Sequence, residues 1–430
     1  MDIKKYIAVT ASYWSFTLTD GALRMLVLLY FHNIGYTPIQ LSLLFMLYEF
    51  CGVITNITGG YLAKRFGLNK TLFTGIFLQI VALTLLFNLN NTWPQLYSLV
   101  YVIIAQGISG IAKDLTKVSA KSAIKTVVSD ENKNRRLFKL VSFLTGSKNT
   151  LKGIGFFLGS FLLSLVGYKV TLSIFIFFLL LLLIFSLISL KNYSGIVKKK
   201  VKFSKLFSKS NSINILSVSR VFLFGARDIW FVVGIPIFFY EKLDWSFTEV
   251  GAFMASWIVF YGIVQSFAPK LLKMFYGDNF SENDQAFFWS IKLFLMMSCL
   301  GFLSHTYDYN SYLICIGLFI FAFVFAINSS IHSYLILALT KKSDVTLDVG
   351  FYYMANATGR LVGCLISGFS YQVAGLMGCL FFTSFFLFFS VTCPLLNFFF
   401  IFSLSFSIFI ISSKLARDLT PYLNSSFPGL

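Results

Sequence analysis

The sequence predicts an all-helical membrane protein built of two six-helix halves. Of its 430 residues, 57% are hydrophobic and 12% are charged, whereas ordinary soluble domains carry about 25% charged residues. Apolar runs recur along most of the chain, and about 20 helical residues suffice to cross a hydrocarbon core ~30 Å thick. This composition leaves no room for a sizeable soluble domain and places the chain in a lipid bilayer.

Twelve apolar segments have the length that a membrane-spanning helix requires. We predict spans at Tyr6–Phe31, Ile39–Leu62, Thr71–Phe87, Leu96–Leu115, Leu137–Val166, Val170–Leu190, Ile213–Tyr240, Thr248–Leu272, Ala286–Leu303, Tyr312–Leu339, Val349–Val373 and Leu376–Val391. The fourth helix is open to extension as far as Val128. A further apolar run, Asn397–Ser412, is short for a span. It could continue the last helix past Pro394, lie in the membrane interface or form a thirteenth span.

The net charge of +18 is concentrated in alternate connections between these segments. If the N-terminus is cytoplasmic, the outer connections hold only Lys169 and Lys242. The inner connections then hold Lys4, Lys5, Lys64, Arg65, Lys70, Lys133, Arg135, Arg136, seven lysines between Lys191 and Lys209, Lys270, Lys273, Lys341 and Lys342. This asymmetry follows the positive-inside rule and predicts a cytoplasmic N-terminus. It also accounts for the charge without a nucleic-acid partner.

One long basic connection divides the chain into two sets of six spans. We predict an N-terminal half at 1–190, a cytoplasmic linker at 191–211, a C-terminal half at 212–394 and a tail of open topology at 395–430. A weak repeat supports the division, because IGYTPIQL (Ile34–Leu41) and LDWSFTEV (Leu243–Val250) match chemically at five positions. Paired halves of this kind are typical of secondary transporters, whose substrate site lies near mid-bilayer between the repeats.

Seven basic residues at membrane depth are candidates for binding an anionic substrate. These are Arg24, Lys113, Lys117, Lys148, Lys152, Arg220 and Arg227. A charge at the bilayer centre costs about 2.5–3.5 kcal/mol, so such residues are functional by default. Arg24 and Arg227 occupy the middle of the first and seventh spans, where two guanidinium forks could grip one anion bidentately. Alternatively, Arg24 pairs with Asp20, and Arg227 with an acid on another helix.

The candidate lysines recur at helical spacing. Lys113 and Lys117 share one face of the fourth span, and Lys148 and Lys152 share one face of the fifth. Such stripes could relay an anion through the bilayer. Alternatively, the ammonium groups snorkel to the interface, as we expect of Lys121.

Four acidic residues in the spans, Asp20, Glu49, Asp114 and Asp228, are candidates for proton coupling. A carboxylate near cations or in a low dielectric can change its protonation state as its surroundings open. Alternatively, these acids only neutralise nearby cations. Glu49 is the first candidate, because no cation lies within a helical turn of it on its own span. Arg360 is open to either a site role or a role in anchoring helices.

Other signals limit the chemistry. The chain has no GxxxxGK[ST] phosphate loop, which favours transport driven by a gradient. Its six cysteines include no CxxC pair, so neither a disulfide framework nor a metal site is predicted. We therefore expect no cofactor and no catalytic residues. Asn328 and His332 either line the cavity or serve the structure.

The connection GGYLAKRFG at Gly59–Gly67 resembles the loop signature GxxxD(R/K)xGR(R/K) of the major facilitator superfamily. Gly60, Arg65 and Gly67 fit the signature. Lys64 stands where the signature has Asp, and two later basic positions are replaced. This departure affects the gating latch that the loop usually forms.

Four further blocks resemble the organoarsenical efflux transporters of that superfamily, which are bacterial inner-membrane proteins. The blocks are Tyr13–His32, Gln106–Lys125, Leu144–Gly159 and Phe222–Pro236. The likeness runs from about Tyr6 to Val391, and the tail lies outside it. Most of the charged candidates fall within these blocks.

This resemblance implies efflux of 1-arseno-3-phosphoglycerate and resistance to arsenate. The ester forms when a glyceraldehyde-3-phosphate dehydrogenase, the implied functional partner, uses arsenate in place of phosphate, and it falls apart outside the cell. An oxyanion at each end of the ester fits the surplus of cations. The absence of paired cysteines disfavours trivalent arsenic held by thiolates.

Three rival functions are considered, and the sequence disfavours the last two of them. The chain could carry another small organic anion, such as an organophosphate or a drug. A membrane receptor would need a sizeable soluble output module, and the loops are too short to form one. A membrane transferase would need a nucleophile or base near a membrane face, and no such constellation is found.

Overall fold

The computed structural model is an all-helical bundle, described over residues 3–66, 68–90, 92–127, 133–190, 210–276, 282–307, 309–340 and 345–393. The helices are α1 (Ile3–Asn33), α2 (Pro38–Leu44), α3 (Met46–Phe66), α4 (Leu68–Phe87), α5 (Gln95–Val127), α6 (Lys133–Ser189), α7 (Asn211–Ile229), α8 (Ile235–Lys242), α9 (Phe247–Tyr276), α10 (Glu282–Thr306), α11 (Ser311–Leu339) and α12 (Val345–Thr392). A π-helical turn, Trp230–Gly234, joins α7 to α8. Within these residues, nine helical stretches are long and apolar enough to cross a membrane.

Two helices are too long for one crossing and are broken at a glycine. α6 has 57 residues and α12 has 48, which at 1.5 Å per residue makes them about 85 Å and 70 Å long. Gly167 has a φ of 79° and Gly375 a φ of 56°, a region that residues with a Cβ rarely adopt. These breaks fall where the sequence separates the fifth span from the sixth and the eleventh from the twelfth. Each of these two stretches therefore counts as two segments. Together with α1, the described residues then contain the twelve predicted segments, which confirms the fold class.

The remaining differences from the predicted spans are local. The second span is divided into α2 and α3 at Phe45, and α2 begins with a capping box between Thr37 and Gln40. α5 continues to Val127, as the predicted extension of the fourth span allows. Residues 191–209 of the predicted linker and the residues from 394 onward lie outside the described part of the chain, so the topology of the linker and of the tail stays a prediction.

Each half contains a very close pair of helices at a corresponding place, and the two pairs are alike. A methyl group built on Gly159 of α6 would lie 2.1 Å from the backbone oxygen of Ala22 on α1. Likewise, a methyl group on Gly363 of α12 would lie 2.5 Å from the backbone oxygen of Gly225 on α7. One turn earlier, Gly155 and Gly359 make the corresponding close contacts with α1 and α7. Only glycine permits such an approach, so these contacts place equivalent positions of the two halves in register.

The halves meet along their length and at one end. α3 packs against α12, and α6 packs against α9. At the end where α1 stops, His32 Nε2 lies 2.9 Å from Glu241 Oε1. The hydroxyl of Tyr371 donates to Glu241 Oε2 at 3.0 Å. These contacts connect α1 of one half with α8 and α12 of the other.

Candidate substrate-binding site

The buried carboxylate of Glu49 joins the two halves near the middle of the bundle. Glu49 of α3 has no exposed surface, and Arg24 Nη1 of α1 lies 3.0 Å from its Oε1. Arg360 Nη2 of α12 lies 2.9 Å from its Oε2. Burial of these charges is tolerable because each is paired. The ion pair of Arg24 is thus with Glu49 and not with Asp20, the partner of the alternative interpretation.

The side chain of Tyr48 contacts two further charged residues, Asp20 and Lys113. Its hydroxyl donates to Asp20 Oδ1 at 2.8 Å and to Oδ2 at 3.0 Å. Lys113 Nζ lies 3.7 Å from the centroid of the same ring, a cation–π contact. The Lys113 nitrogen is buried and has no hydrogen-bond partner among the described residues. Asp20 therefore binds a neutral hydroxyl, and Lys113 rests on an aromatic face.

Asp114 is the counter-ion of Lys117. Its Oδ1 accepts from Lys117 Nζ, and its Oδ2 accepts from the hydroxyl of Thr55 at 2.8 Å. Lys117 Nζ also donates to Asn56 Oδ1 at 2.8 Å. The structure therefore holds this predicted substrate lysine in an ion pair within α5.

These groups converge on a glycine of α3. A methyl group built on Gly52 would lie 3.3 Å from Asp114 Oδ2, 3.7 Å from Arg360 Nη2 and 3.9 Å from Lys113 Nζ. Charged groups of α5 and α12 thus approach the α3 backbone at one point. The missing side chain leaves the space in which they meet.

α6 contributes the predicted pair of lysines. Lys152 Nζ lies 5.6 Å from the centroid of the Phe156 ring and interacts electrostatically with Arg24 and Asp20. Lys152 has no carboxylate within ion-pair distance in the part of the chain that the structure describes. Lys148 lies one turn earlier and is half-buried.

Arg227 and Asp228 are neighbours on α7 and bind each other. Arg227 Nε donates to Asp228 Oδ1 at 2.6 Å, and Nη2 forms an ion pair with the same oxygen. The guanidinium carbon lies 5.0 Å from the centroid of Phe224 and 5.6 Å from that of Phe231. Asp228 also interacts electrostatically with Arg24. The two predicted clamp arginines therefore each hold a carboxylate.

Arg220 is differently placed, two turns before Arg227. It is 4% exposed, and its Nε donates to Asn356 Oδ1 at 3.0 Å. Its Nη1 donates to the backbone oxygen of Ser329 at 3.2 Å. No carboxylate lies within ion-pair distance of it among the described residues. Its partners are therefore neutral.

Sequence reasoning did not single out Tyr48, Tyr352 or Asn356, and it left Arg360 open. The last three recur every four residues and so share one face of α12. This polar stripe in an apolar helix was the signal that could have revealed them. Tyr48 gave only a weak signal as the neighbour of Glu49.

Comparison with known proteins gives one result. A family model described as Major Facilitator Superfamily matches residues 6–277, which is more than half of the 430 residues. The match includes the first half and continues through α9. No curated protein matches the chain.

Proposed function

The chain belongs to the Major Facilitator Superfamily, and we propose that it is a secondary transporter whose cargo is a small organic anion. Membership makes it a multi-pass membrane transporter and not an enzyme. The nature of the cargo is our proposal. It rests on the charges at mid-bundle.

The observation that carries the proposal is a set of interior cations without carboxylate partners, of which Arg220 and the Lys113 nitrogen are buried and Lys152 is half-buried. Lys113, Lys152 and Arg220 have none within ion-pair distance in the described residues. A buried charge without a counter-charge costs several kcal/mol, roughly 3–5 when a partner has been removed. An anionic cargo supplies the missing negative charge. Binding of the cargo therefore also neutralises the positive charge of the site.

The balance of named charges supports the same conclusion. The basic members are Arg24, Lys113, Lys117, Lys148, Lys152, Arg220, Arg227 and Arg360, and the acidic members are Asp20, Glu49, Asp114 and Asp228. Basic residues therefore outnumber acidic ones two to one. Such an excess favours cargo with more than one negative charge.

For the cargo itself we propose 1-arseno-3-phosphoglycerate, exported across a bacterial inner membrane by a chain whose N-terminus is cytoplasmic. Support comes from the four sequence blocks that resemble organoarsenical efflux transporters and from the basic connections that fall on one side. A glyceraldehyde-3-phosphate dehydrogenase would supply the ester, and the activity would confer arsenate resistance. A different organic anion, such as an organophosphate, is the second candidate, because the same surplus of cations suits it.

A resistance assay tests the cargo. Cells that produce this chain together with a glyceraldehyde-3-phosphate dehydrogenase should tolerate arsenate better than cells that produce either protein alone. The Lys113→Gln/Lys152→Gln variant should lose the protection, and the exposed Lys270→Gln should keep it. Equal protection without the dehydrogenase would indicate free arsenate as cargo. Protection against arsenite would contradict an oxyanion, and no protection combined with organophosphate transport would favour the second candidate.

A further inference from the structure

The C-terminal half contains a buried arginine whose charge no described carboxylate balances. A guanidinium group has five N–H donors. Arg220 uses one on Asn356 Oδ1 and one on the Ser329 backbone oxygen. Both acceptors are neutral, so three donors and the full positive charge are available to a ligand.

Aromatic rings form the walls around this arginine. The guanidinium carbon of Arg220 lies 3.9 Å from the centroid of Phe224 and 5.1 Å from that of Tyr352. Rings on the guanidinium faces attract the cation and fix its plane. They leave the edge, which carries the N–H groups, as the part that can bind an oxyanion bidentately.

A second buried polar group beside Arg220 lacks a partner. His332 of α11 is 2% exposed, and its Nδ1 has no hydrogen-bond partner among the described residues. It lies one helical turn after Ser329, whose backbone oxygen accepts a hydrogen bond from Arg220. Buried nitrogen atoms are nearly always hydrogen-bonded, so an unsatisfied one next to an uncompensated arginine indicates a missing ligand.

The surroundings of Arg220 are separate from the cluster of charged residues around Glu49. Arg220 precedes Arg227 by seven residues on α7, which is about 10.5 Å along the helix axis. On α12, Asn356 contacts Arg220, whereas Arg360, one turn further on, contacts Glu49. The polar stripe of α12 therefore connects two sites that lie at different depths.

We propose that Arg220, Asn356, Tyr352 and His332 form a subsite for one carboxylate or phosphate group of the cargo, the second anionic group binding at Lys113 and Lys152. The subsite rests on the proposed anion cargo and narrows it. A single arginine among neutral groups matches one oxyanion group. The cargo class is then a small organic molecule with two separate anionic ends.

Ligands with one and two anionic ends test the subsite on the purified full-length chain. The probes are 3-phosphoglycerate, which has a phosphate and a carboxylate, glycerol 3-phosphate, which has only the phosphate, and inorganic phosphate. Wild-type protein should bind 3-phosphoglycerate at least about tenfold more tightly than glycerol 3-phosphate. Arg220→Gln should abolish this preference and leave the affinity for glycerol 3-phosphate unchanged. The exposed Lys270→Gln should preserve both affinities.

A near-isosteric variant separates the subsite from a structural role. Asn356→Asp places a carboxylate on Arg220 Nε, so it should raise the thermal stability of the ligand-free protein and remove the preference for two-ended probes. The same variant covers the case in which Arg220→Gln does not fold. A wild-type protein that binds both organic probes equally, or an Asn356→Asp variant that keeps the preference, would overturn the subsite and leave the anion cargo standing. Wild-type protein that binds none of the three probes would contradict the anion cargo itself, and the subsite with it.

Discussion

The corresponding helices α6 and α12 share a scaffold but differ in their polar side chains. The register set by Gly159 and Gly363 aligns Lys148, Lys152 and Phe156 of α6 with Tyr352, Asn356 and Arg360 of α12. α6 thus has two cations and then an aromatic ring, whereas α12 has two neutral groups and then a cation.

This difference shows where each half obtains its charge. In the N-terminal half, Lys152 stays without a carboxylate in the described residues. In the C-terminal half, Arg360 is bound to Glu49 of the other half, and Arg220 of α7 supplies the unbalanced charge beside Asn356. One backbone arrangement therefore carries two different sets of charges, and specificity lies in the side chains and not in the fold.

The largest effect is expected where the halves share Glu49. Glu49→Gln leaves Arg24 and Arg360 without their carboxylate and should lower the free energy of unfolding by about 3–5 kcal/mol. Chemical unfolding of purified protein in detergent measures the loss. Arg360→Gln added to Glu49→Gln should restore part of it, and the exposed Glu249→Gln is the control. Equal stability of Glu49→Gln and wild type would show that the bridge does not hold the halves together.

The same substitution tests both clamp arginines. Arg24→Lys and Arg227→Lys keep the charge but lose the planar fork. If each arginine binds cargo, each variant should weaken anion binding by about 1.5–3 kcal/mol, the value of hydrogen bonds to a charged group. Calorimetry with 3-phosphoglycerate measures the binding, and thermal unfolding of the same variants measures their stability. Normal binding by Arg227→Lys would assign Arg227 to its ion pair with Asp228 alone.

The equivalence of the two helix pairs can be tested with single methyl groups. Gly159→Ala and Gly363→Ala each force a Cβ into a backbone oxygen, and each should cost about 1–3 kcal/mol of stability. Gly301→Ala is the matched control, because its Cβ would meet nothing nearer than 3.6 Å. Similar losses at both glycines would confirm equivalent contacts. A loss of stability at one position only would show that the two helix pairs are not equivalent.

The smallest change in stability, and the most selective change in function, is expected at Asp20. Its hydrogen-bond partner is the neutral hydroxyl of Tyr48, so protonation breaks no ion pair there, whereas at Glu49 it would break two. Asp20→Asn should therefore change stability by less than about 1 kcal/mol. If Asp20 is the coupling residue, the variant should also abolish transport driven by a pH gradient and preserve downhill exchange. Transport in proteoliposomes measures both modes. Full response of Asp20→Asn to an imposed gradient would exclude Asp20 as the coupling residue.

The sequence predicted the helices far better than the pairing of their charges. Span lengths and the separations at Gly167 and Gly375 depend on local hydropathy and glycine, which a single chain displays. The partners of Glu49 lie on α1 and α12, so its ion pairs depend on tertiary packing that no local pattern encodes. Glu49 was the first candidate for proton coupling because its own span holds no nearby cation. Its two partners, Arg24 and Arg360, lie on other helices. The stripe of Tyr352, Asn356 and Arg360 was readable by spacing, but two of its members are uncharged.

The close helix pairs also bear on how the chain is made in the cell. The contact of Gly159 with Ala22 lies wholly within the first half, and that of Gly363 with Gly225 lies wholly within the second. Each half can therefore form its close helix pair without the other half, as is usual for domains that fold as units during translation. We expect a gene split between codons 191 and 209 to yield two polypeptides that insert separately and associate into a working transporter.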